Sequence, residues 1–444
     1  MPQHSATITV TMRIRRLHLT DFRNYVELTL EPAEGLNILY GKNAQGKTNV
    51  LEAIALLATT RSMRAGRDSQ MIRAGAEQAH VHAEVVRERE GEVELFLTLF
   101  QTDRKSVQIN HLKRERVLDL LGQFNAVFFG ASELAIVSGE PADRRHFLNM
   151  EISQISPRYV YDLGHYRRVL EQRNRLLRDL REMRLSRKDS GLEVWNEQLV
   201  RYGASLIRRR LFYIERLIPL VAQIHEELSE GKERLELRYQ PGIDLTPDTA
   251  LRIQEAGASI GLAAAETPAE KVSPFTVVYD AEEKQFRNLF ERHLQQVLEE
   301  ELRRGTTLIG PQRDDLVFLI NGVDARIYGS QGQQRTVALS LKLAEFCLME
   351  SFVGEPPVML LDDVMSDLDD VRRRRLLKWI QGRCQTFLTC TNLRSFPKEV
   401  LQEAAVFQVR AGTVCFEGFG AHLQKETSER SVPESAVVLE KEAQ

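Results

Sequence analysis

The order of apolar and polar positions predicts a mixed α/β fold for the first 130 residues. Apolar residues alternate with polar ones on both sides of the sequence DFRN, which indicates a hairpin of two strands between residues 12 and 30. A short apolar run at residues 36–40, a glycine-bounded loop and the helical sequence NVLEAIALLA follow in that order. The alternating sequences HVHAEVV and EVELFLTLF predict two further strands.

The middle of the chain changes to a helical pattern. Large apolar residues recur about every 3.5 positions over residues 159–180 and 195–220, which predicts two antiparallel helices joined by the polar turn SRKDSG. A segment punctuated by proline and glycine (241–274) leads to a third predicted helix at 282–304. Beyond Gly305 the strand-like pattern returns. Strands are predicted at residues 316–320, 358–361, 387–391 and 406–416.

Length and composition narrow the class of protein. A chain of 444 residues with 43% hydrophobic residues is long enough for about two or three folded domains. No apolar run approaches the roughly 18 residues that span a membrane, and the sequence MPQHSATITVT has no secretory-signal pattern. Four cysteines without C-x-x-C spacing argue against a zinc site or a disulfide framework. We therefore expect a cytoplasmic protein with no membrane partner.

A phosphate-binding loop is the clearest chemical motif. The sequence GKNAQGKT (residues 41–48) has the pattern G-x-x-x-x-G-K-[ST], and it stands after a predicted strand and at the start of a predicted helix. Glycines let backbone N–H groups surround phosphate oxygens, a lysine at position 47 reaches the β- and γ-phosphates, and the hydroxyl of Thr48 binds Mg²⁺. The motif predicts a site for ATP and Mg²⁺.

A second half of the same site is predicted at VMLLDD (residues 358–363), where a buried strand ends in two acids. Asp362 is predicted to hold Mg²⁺, and Asp363 to orient or deprotonate the attacking water. Lys47 and Asp362 are 315 residues apart, so a whole domain is inserted within one nucleotide-binding head. Upstream of this strand, GSQGQQRT (residues 329–336) forms a polar turn before an amphipathic helix, which is a phosphate-binding arrangement.

These motifs, in this order, resemble the ABC-type ATPase heads of the SMC class. The finer features resemble the RecF family of bacterial recombination-repair proteins over residues 12–416. They are FRNY, GKNAQGKTNVLEAI, RSMR, RRHFLN, YRRVLEQRNRLLR, GPQRDDL, SQGQQRT, LLDD and SDLD. Met63, Gln312 and Ala131 depart from the usual family residues, but the phosphate-contacting set is intact.

The resemblance implies a head built from the N- and C-terminal parts of the chain with a helical insertion. The predicted segments are a stretch without pattern (1–11), which is an extension or an upstream misread of a start at Met12, the first part of the head (12–140), the insertion (141–304), the second part of the head (305–418) and a tail (419–444). The first and last of these fall outside the resemblance, and the polar, charged composition of the tail, without periodicity, predicts disorder.

The resemblance also implies that two heads enclose two nucleotides. Ser330 and Gly332 are expected to contact the γ-phosphate held by a second subunit, and Asp369 to cross the same interface. Arg64 is expected to approach the γ-phosphate, and Thr391 fills the switch position. The full set of expected ATP contacts is Gly41, Lys42, Asn43, Ala44, Gln45, Gly46, Lys47, Thr48, Asn49, Arg64, Ser330, Gln331, Gly332, Gln333, Asp369 and Thr391.

A basic run suggests where DNA binds. Residues 158–188 contain ten Lys/Arg and four Asp/Glu, although the whole chain has a charge of −3. A solvated helix face is the alternative interpretation of such a run. The expected DNA contacts are Arg168, Arg175, Arg178 and Arg181 on the first long helix, with Arg208 and Arg209 on its partner helix.

By resemblance, the expected function is an ATP-gated dimeric clamp that acts at gapped DNA or at single-strand/double-strand junctions. The expected partners are single- and double-stranded DNA, RecR and RecO. The expected context is RecA loading and the SOS response, and the expected switch is slow ATP hydrolysis that DNA stimulates. Two alternatives belong to other classes. A transporter-type motor is disfavoured by Thr391 and by the insertion, and a nuclease-coupled ATPase lacks a further D-x-D cluster.

Overall fold

The computed structural model describes residues 12–88, 90–102, 104–182, 190–245 and 280–419, which form two compact units. The first unit contains the described residues up to Leu57, Arg61–Val117 and the residues from Pro357 onward. The second contains Ala58–Thr60 and Leu118–Pro356. The predicted extension 1–11, most of the turn SRKDSG, residues 246–274 and the tail beyond 419 lie outside the described residues.

The strands, in chain order, are β1 (Arg13–Phe22), β2 (Tyr25–Leu30), β3 (Leu36–Tyr40), β4 (Gln78–Arg87), β5 (Gly91–Phe100), β6 (Lys105–Ile109), β7 (Leu112–Arg114), β8 (Ala126–Phe129), β9 (Leu235–Gln240), β10 (Asp315–Ile320), β11 (Val323–Asp324), β12 (Val358–Asp362), β13 (Thr386–Cys390), β14 (Ala405–Arg410) and β15 (Thr413–Phe419). The helices are α1 (Lys47–Thr59), α2 (Leu134–Ser138), α3 (Pro141–Ile155), α4 (Pro157–Arg181), α5 (Leu192–Ser229), α6 (Asp280–Arg304), α7 (Ala325–Tyr328), α8 (Gln331–Val353), α9 (Val364–Asp367), α10 (Asp370–Ile380) and α11 (Lys398–Glu403).

The first unit contains an antiparallel sheet with strand order β2-β1-β4-β5-β6-β7. Its strands alternate between buried apolar and more exposed polar positions, as the period-two sequence pattern predicts. The predicted hairpin is confirmed, because β1 pairs with β2 around a tight turn in which Arg23 has a φ of 57°. The predictions for β4 and β5 are confirmed as well.

Five further strands of the first unit lie in the order β15-β14-β3-β13-β12. Strands β14, β3, β13 and β12 are parallel, so their carboxyl ends meet at one edge. β3, β13 and β12 are almost wholly apolar, which is typical of parallel strands covered on both faces. Buried Gln385 connects this sheet to β1, because its amide accepts from Ile14 N at 2.8 Å and donates to Ile14 O at 2.9 Å.

Long helices dominate the second unit. Both predicted long helices are present. α4 begins at Pro157, and Ser156 is its N-cap, because the Ser156 side chain accepts a hydrogen bond from Tyr159 N. α5 packs against α4, α6 and α8, so it is buried around most of its circumference. Strands β11, β10 and β9 form a small antiparallel sheet beside these helices. No helix in the described residues is long and apolar enough to cross a membrane.

Charged side chains lie inside the second unit as matched pairs. Arg173 and Glu301 are both fully buried, with 2.6 Å between Nη2 and Oε2. Buried Lys342 contacts Glu151 at 3.1 Å and Glu345. Arg210 pairs with buried Asp314, whose carboxylate also accepts from the hydroxyl of Tyr239. Except for Lys342 and Glu345, which lie in one helix, these pairs join segments that are distant in the sequence, so they fix how the helices pack.

The Arg173–Glu301 pair gives a stability prediction. Arg173→Ala leaves Glu301 buried without its counter-charge, so we expect it to lower the free energy of unfolding by about 3–5 kcal/mol. Arg175→Ala, two residues further along α4, removes an exposed arginine and is expected to change it by less than about 0.5 kcal/mol. Urea denaturation of both variants measures this difference. Equal stabilities would contradict a structural role for the buried pair.

Candidate nucleotide site and basic surface

The phosphate-binding loop connects the carboxyl end of β3 to the first turn of α1, as the sequence predicts. Lys47 is the first residue of α1, and its Nζ donates to the carbonyl oxygens of Gly41 and Lys42 at 2.6 and 2.8 Å. Burial lowers the pKa of Lys47, while the nearby carboxylates of Asp363 and Asp362 act in the opposite direction. The lysine side chain therefore lies over the loop, where it is predicted to contact phosphate.

The two halves of the predicted site meet at Asp362. Its Oδ1 accepts hydrogen bonds from Thr48 Oγ1 at 2.8 Å and from Thr389 Oγ1 at 2.7 Å. Thr48 and Asp362 are the two residues that the sequence assigns to Mg²⁺, and the structure brings them together across 314 positions. Thr389, which holds the carboxylate from the neighbouring strand β13, was not predicted.

Asp363 has the properties of a general base. Its backbone is left-handed, with a φ of 53°, and its N–H donates to Thr389 Oγ1 at 2.9 Å. Burial raises the pKa of its carboxyl group, and Oδ1 has no hydrogen-bond partner within the described residues. A carboxylate with a raised pKa is a stronger base than a free aspartate, and its free oxygen is suited to accept a proton from water.

The FRNY sequence supports the phosphate-binding loop from behind. Tyr25 donates from its hydroxyl to Gly46 O at 3.0 Å, and Asn24 donates from Nδ2 to Gln45 O at 2.9 Å. Asn49 in α1 donates to Asn24 Oδ1 at 2.8 Å. A Cβ at Gly46, where φ is 116°, would lie 2.7–2.8 Å from the side chains of Asn24 and Tyr25. Only glycine therefore fits between the loop and its support.

The turn between β14 and β15 holds the same loop from another side. Ala411 N donates to Gln45 Oε1 at 2.8 Å, and Gly412 N donates to Gln45 O at 3.1 Å. The carbonyl of Cys390, at the end of β13, accepts from Gly41 N at 3.3 Å. Residues from both ends of the chain thus fix the loop that is predicted to surround phosphate.

A cavity of about 460 Å³ lies beside the loop, lined by Arg23, Asn24, Asn49, Arg64, Ala65, Gln70 and Ile72. Glu52 organises one side of it, because this fully buried carboxylate receives Arg23 Nε at 2.8 Å and Arg23 Nη2 at 2.6 Å. Ser62 also donates to Glu52. Arg64 is exposed, and its side chain makes no hydrogen bond or ion pair with another described residue, so its guanidinium is available to an anion.

The predicted signature turn lies in the second unit, at the start of α8. Ser330 is its N-cap, and its Oγ accepts from Gln333 N at 3.2 Å while Gln333 Oε1 accepts from Ser330 N at 2.9 Å. Ser330, Gln331 and Gly332 are exposed, which leaves this helix N-terminus open to an anion. The amide of Gln333 also donates to Glu233 Oε1 at 3.0 Å, so it shapes the turn.

Asp369 and Thr391 occupy ends of elements in the first unit. Asp369 caps α10 by accepting from Arg372 N at 2.8 Å, and this hydrogen bond together with the Arg372 guanidinium lowers the pKa of its carboxyl group. Thr391 is exposed directly after β13, where Asn392 Nδ2 donates to its hydroxyl at 3.4 Å. Both residues are therefore at the surface, in positions where a second molecule could reach them.

The basic residues divide into an exposed group and a buried group. Arg168, Arg175 and Arg178 are exposed on α4, and their side chains have no ion-pair partner among the described residues. Arg181 is exposed and donates to Arg304 O at 3.1 Å. The expectation that Arg208 and Arg209 form a second surface cluster is wrong, because they are only 3% and 8% exposed. α5 is covered on most sides, so arginines at consecutive positions all face packed neighbours.

The donors at the strand edge fit Mg²⁺, although they do not complete a site. A hydroxyl and a carboxylate that converge within 2.8 Å are hard oxygen ligands of the kind that Mg²⁺ takes. In the part of the chain that the structure describes, no group of three or more His, Cys, Asp or Glu side chains is arranged to hold a metal ion. Magnesium would therefore need phosphate oxygens as further ligands, as in other phosphate-loop proteins.

Comparison with known proteins agrees with this site. Residues 13–414 match the family model described as the RecF/RecN/SMC N-terminal domain. The chain is 38% identical over 403 residues to the DNA replication and repair protein RecF of Oceanobacillus iheyensis, covering 91% of this chain and 100% of that protein. It is 41% identical over 411 residues to RecF of Symbiobacterium thermophilum, covering 92% and 100% of the two chains. The chain belongs to the RecF family.

Solved structures extend the likeness to the fold. A RecF structure described as the recombination mediator protein RecF-ATP in the RecFOR pathway superimposes with a TM-score of 0.77 at 32% identity, covering 94% of this chain and 100% of that one. An Smc head domain from Pyrococcus furiosus superimposes with a TM-score of 0.51 at 16% identity and shares the fold alone. The ABC-type head of the SMC class, predicted from the motif order, is thereby confirmed.

Several residues of the RecF-family site were not predicted. Thr389, Glu52 and Gly412 are absent from the sequence-based set. Thr389 and Gly412 directly hold the predicted residues Asp362 and Gln45, and Glu52 holds Arg23, which lines the cavity. FRNY and RSMR were noted as family features, yet only Arg64 was given a role. The recurring sequence signal was a polar residue within an otherwise apolar strand or helix, as at Glu52 in α1.

Gly412 provides a test of the support behind the loop. A Cβ at Gly412, where φ is 77°, would lie 2.5 Å from Asn24 O, so we expect Gly412→Ala to displace the loop and weaken ATP binding. Gly322→Ala is the matched control, because φ is 82° there but nothing lies within 4 Å of the added Cβ. We expect Gly412→Ala to destabilise the protein by roughly 1–3 kcal/mol more than the control.

Titration with a fluorescent ATP analogue and urea denaturation measure the two effects. Nucleotide affinity is expected to fall several-fold for Gly412→Ala and to stay at the wild-type level for Gly322→Ala. If both variants bind nucleotide as the wild type does, the β14–β15 turn does not position the loop.

Proposed function

We propose that this chain is an ATP-dependent DNA-binding protein of recombinational repair, which closes as a homodimer on DNA when ATP binds. The observation that carries the proposal is the hydrogen bond of Thr48 to Asp362 beside Lys47, because it assembles a nucleotide site from the two ends of the chain. The RecF structures in the RecFOR pathway, one of them described as RecF-ATP, support the choice of nucleotide.

The residues of the loop divide the work of binding ATP. Backbone N–H groups of residues 41–46 surround the phosphates, and Lys47 exchanges its bonds to the loop carbonyls for the β- and γ-phosphate oxygens. Thr48 and Asp362 hold Mg²⁺, which neutralises charge on the phosphates. Arg64 lines the adjacent cavity with a free guanidinium, which suits it to the γ-phosphate.

Hydrolysis by this site is a slow switch. Asp363 deprotonates or orients the attacking water, and its raised pKa makes it a stronger base than a free aspartate. Thr389 fixes both acids of the pair, since it donates to Asp362 and accepts from Asp363 N. We expect DNA to stimulate hydrolysis by favouring the closed dimer.

Two copies complete two nucleotide sites. The exposed Ser330 and Gly332 at the start of α8 contact the γ-phosphate bound to the other copy, where a helix N-terminus favours negative charge. Asp369 and Thr391 lie at the surface of the first unit and join the same interface. The segments 12–140 and 305–418 form the head in this proposal, and 141–304 forms the helical insertion.

DNA binds the exposed arginine stripe of α4, which we define as Arg168, Arg175 and Arg178. These residues lie at i, i+7 and i+10, so they share one side of the helix over about three turns. Their free guanidinium groups suit phosphate contacts, which give affinity without reading base sequence. Gapped DNA and single-strand/double-strand junctions are the proposed sites of action, with RecR and RecO as partners that promote RecA loading and the SOS response.

Sedimentation tests the nucleotide-gated dimer. Wild type is expected to dimerise with ATP and to remain monomeric with ADP, and Asp363→Asn to form a longer-lived ATP dimer because hydrolysis is blocked. Lys47→Ala is expected to lose ATP binding and the dimer together. Ser330→Arg is expected to bind ATP as a monomer but not to dimerise. A wild type that stays monomeric at saturating ATP, or a Ser330→Arg protein that dimerises, would rule out the proposed sandwich.

Charge reversal tests the arginine stripe. Replacing Arg168, Arg175 and Arg178 by Glu is expected to lower affinity for gapped DNA by at least tenfold and to reduce its salt dependence, because fewer counterions are released. The control replaces three exposed arginines elsewhere in the second unit, Arg238, Arg292 and Arg303, and matches the change in charge. Fluorescence anisotropy at two salt concentrations gives both quantities. Equal losses in the two proteins would show that only net charge matters.

A further inference from the structure

Three sequence features contribute residues that have no role in the proposed function to one cavity of the second unit. RRHFLN supplies Arg145, His146 and Asn149; YRRVLEQRNRLLR supplies Tyr166 and Arg167; GPQRDDL supplies Pro311 and Gln312. Arg210 from α5 adds a further guanidinium, and the cavity has a volume of about 300 Å³. Convergence of three separate sequence segments on one polar cavity indicates a binding site.

The wall of this cavity is positively charged. Arg145, Arg167 and Arg210 line it together with His146, and no aspartate or glutamate is among the residues that form it. The nearby carboxylates already have partners: Asp314 lies outside the lining and pairs with Arg210, and Asp315 accepts from Arg144. The cavity therefore presents guanidinium groups without carboxylates of its own.

Arg145 is the cavity arginine whose hydrogen-bond donors are only partly used. Its Nη1 donates to Asp314 O at 3.0 Å, and it forms no ion pair with any described carboxylate. Burial lowers the pKa of Arg145, and the nearby charge of Arg210 lowers it further. An anion in the cavity would relieve this repulsion and accept from Nε and Nη2, for which no acceptor lies among the described residues.

Arg210 is held in place before any ligand arrives. Its Nε donates to Tyr159 Oη at 2.9 Å and its Nη2 to Asn149 Oδ1 at 2.8 Å, while Nη1 contacts Pro311 O and Asp314. The side chain is only 2% exposed, so a group that approaches it must enter the cavity. A rigid, recessed cation favours a small anion at the end of a ligand.

We propose that this cavity binds the terminal phosphate of a DNA strand, an inference that rests on the proposed DNA-binding function. α4 supplies both Arg167 in the cavity wall and, one residue later, the first member of the arginine stripe. A strand whose backbone follows Arg168, Arg175 and Arg178 would run along the helix that also forms part of the cavity wall. A phosphate monoester can enter because it continues on one side only, whereas an internal phosphodiester continues on both. Its second negative charge also strengthens the contact with paired guanidinium groups.

The test compares one gapped duplex that carries a phosphate or a hydroxyl at the strand ends facing the gap. Fluorescence anisotropy with a non-hydrolysable ATP analogue gives the affinity for the 5′-phosphate, 3′-phosphate and hydroxyl forms. Wild type is expected to prefer one phosphorylated end by about tenfold. Arg145→Gln is expected to reduce that preference to near one while affinity for the hydroxyl form changes by less than about twofold. Arg292→Gln, which removes an exposed arginine of α6, is expected to keep both values.

Ala142→Glu guards against a folding defect, because Ala142 is exposed at the cavity and the change leaves every arginine in place. The added carboxylate is expected to abolish the preference without altering the ATP-dependent dimer. A wild type with equal affinity for all three forms would overturn the inference, and so would an Arg145→Gln protein that keeps the preference. Inorganic phosphate that competes equally against all three forms would also overturn it. A wild-type protein that binds none of the DNA forms at low salt would instead refute the proposed function itself.

Discussion

The hydrogen bond between Thr48 and Asp362 is the interaction on which the rest of the site depends. It joins the first turn of α1 to the end of β12, and Thr389 on the neighbouring strand holds the same carboxylate oxygen. Parallel pairing of β3, β13 and β12 brings these groups to one edge. The two half-sites thereby form one site, although more than 300 residues separate them in the sequence. They meet because the apolar strands fix the registers of the sheet.

The loop itself has few internal contacts and relies on its surroundings. FRNY binds it through Tyr25 and Asn24, and the β14–β15 turn binds Gln45 from the opposite end of the sequence. Backbone N–H groups can surround a phosphate only if the loop is held open before the ligand arrives. Early and late parts of the chain therefore both hold the loop, and the inserted helical segment lies between them in the sequence.

The sequence was most informative where chemistry is local. Lys47, Thr48 and Asp362 follow from short motifs, since the spacing of a loop or the end of a strand determines where those side chains lie. Glu52 and Gly412 could not be predicted in the same way, because their roles depend on partners brought close only by the tertiary fold. Arg208 and Arg209 were wrongly assigned to the surface, since a run of charge does not show which sides of a helix are covered.

Burial also changes the meaning of the positive charge in the helical segment. Arg173 and Lys342 are neutralised by Glu301 and by the pair Glu151 and Glu345, so these cations fix the packing of helices and are not available to DNA. Arg210 is also paired, with Asp314, but it lines the cavity beside Arg145. The stripe on α4 remains, and so does Arg145. A basic sequence run is thus divided by the fold into structural cations and free ones, and only the free ones can provide the salt-dependent affinity expected of a DNA-binding surface.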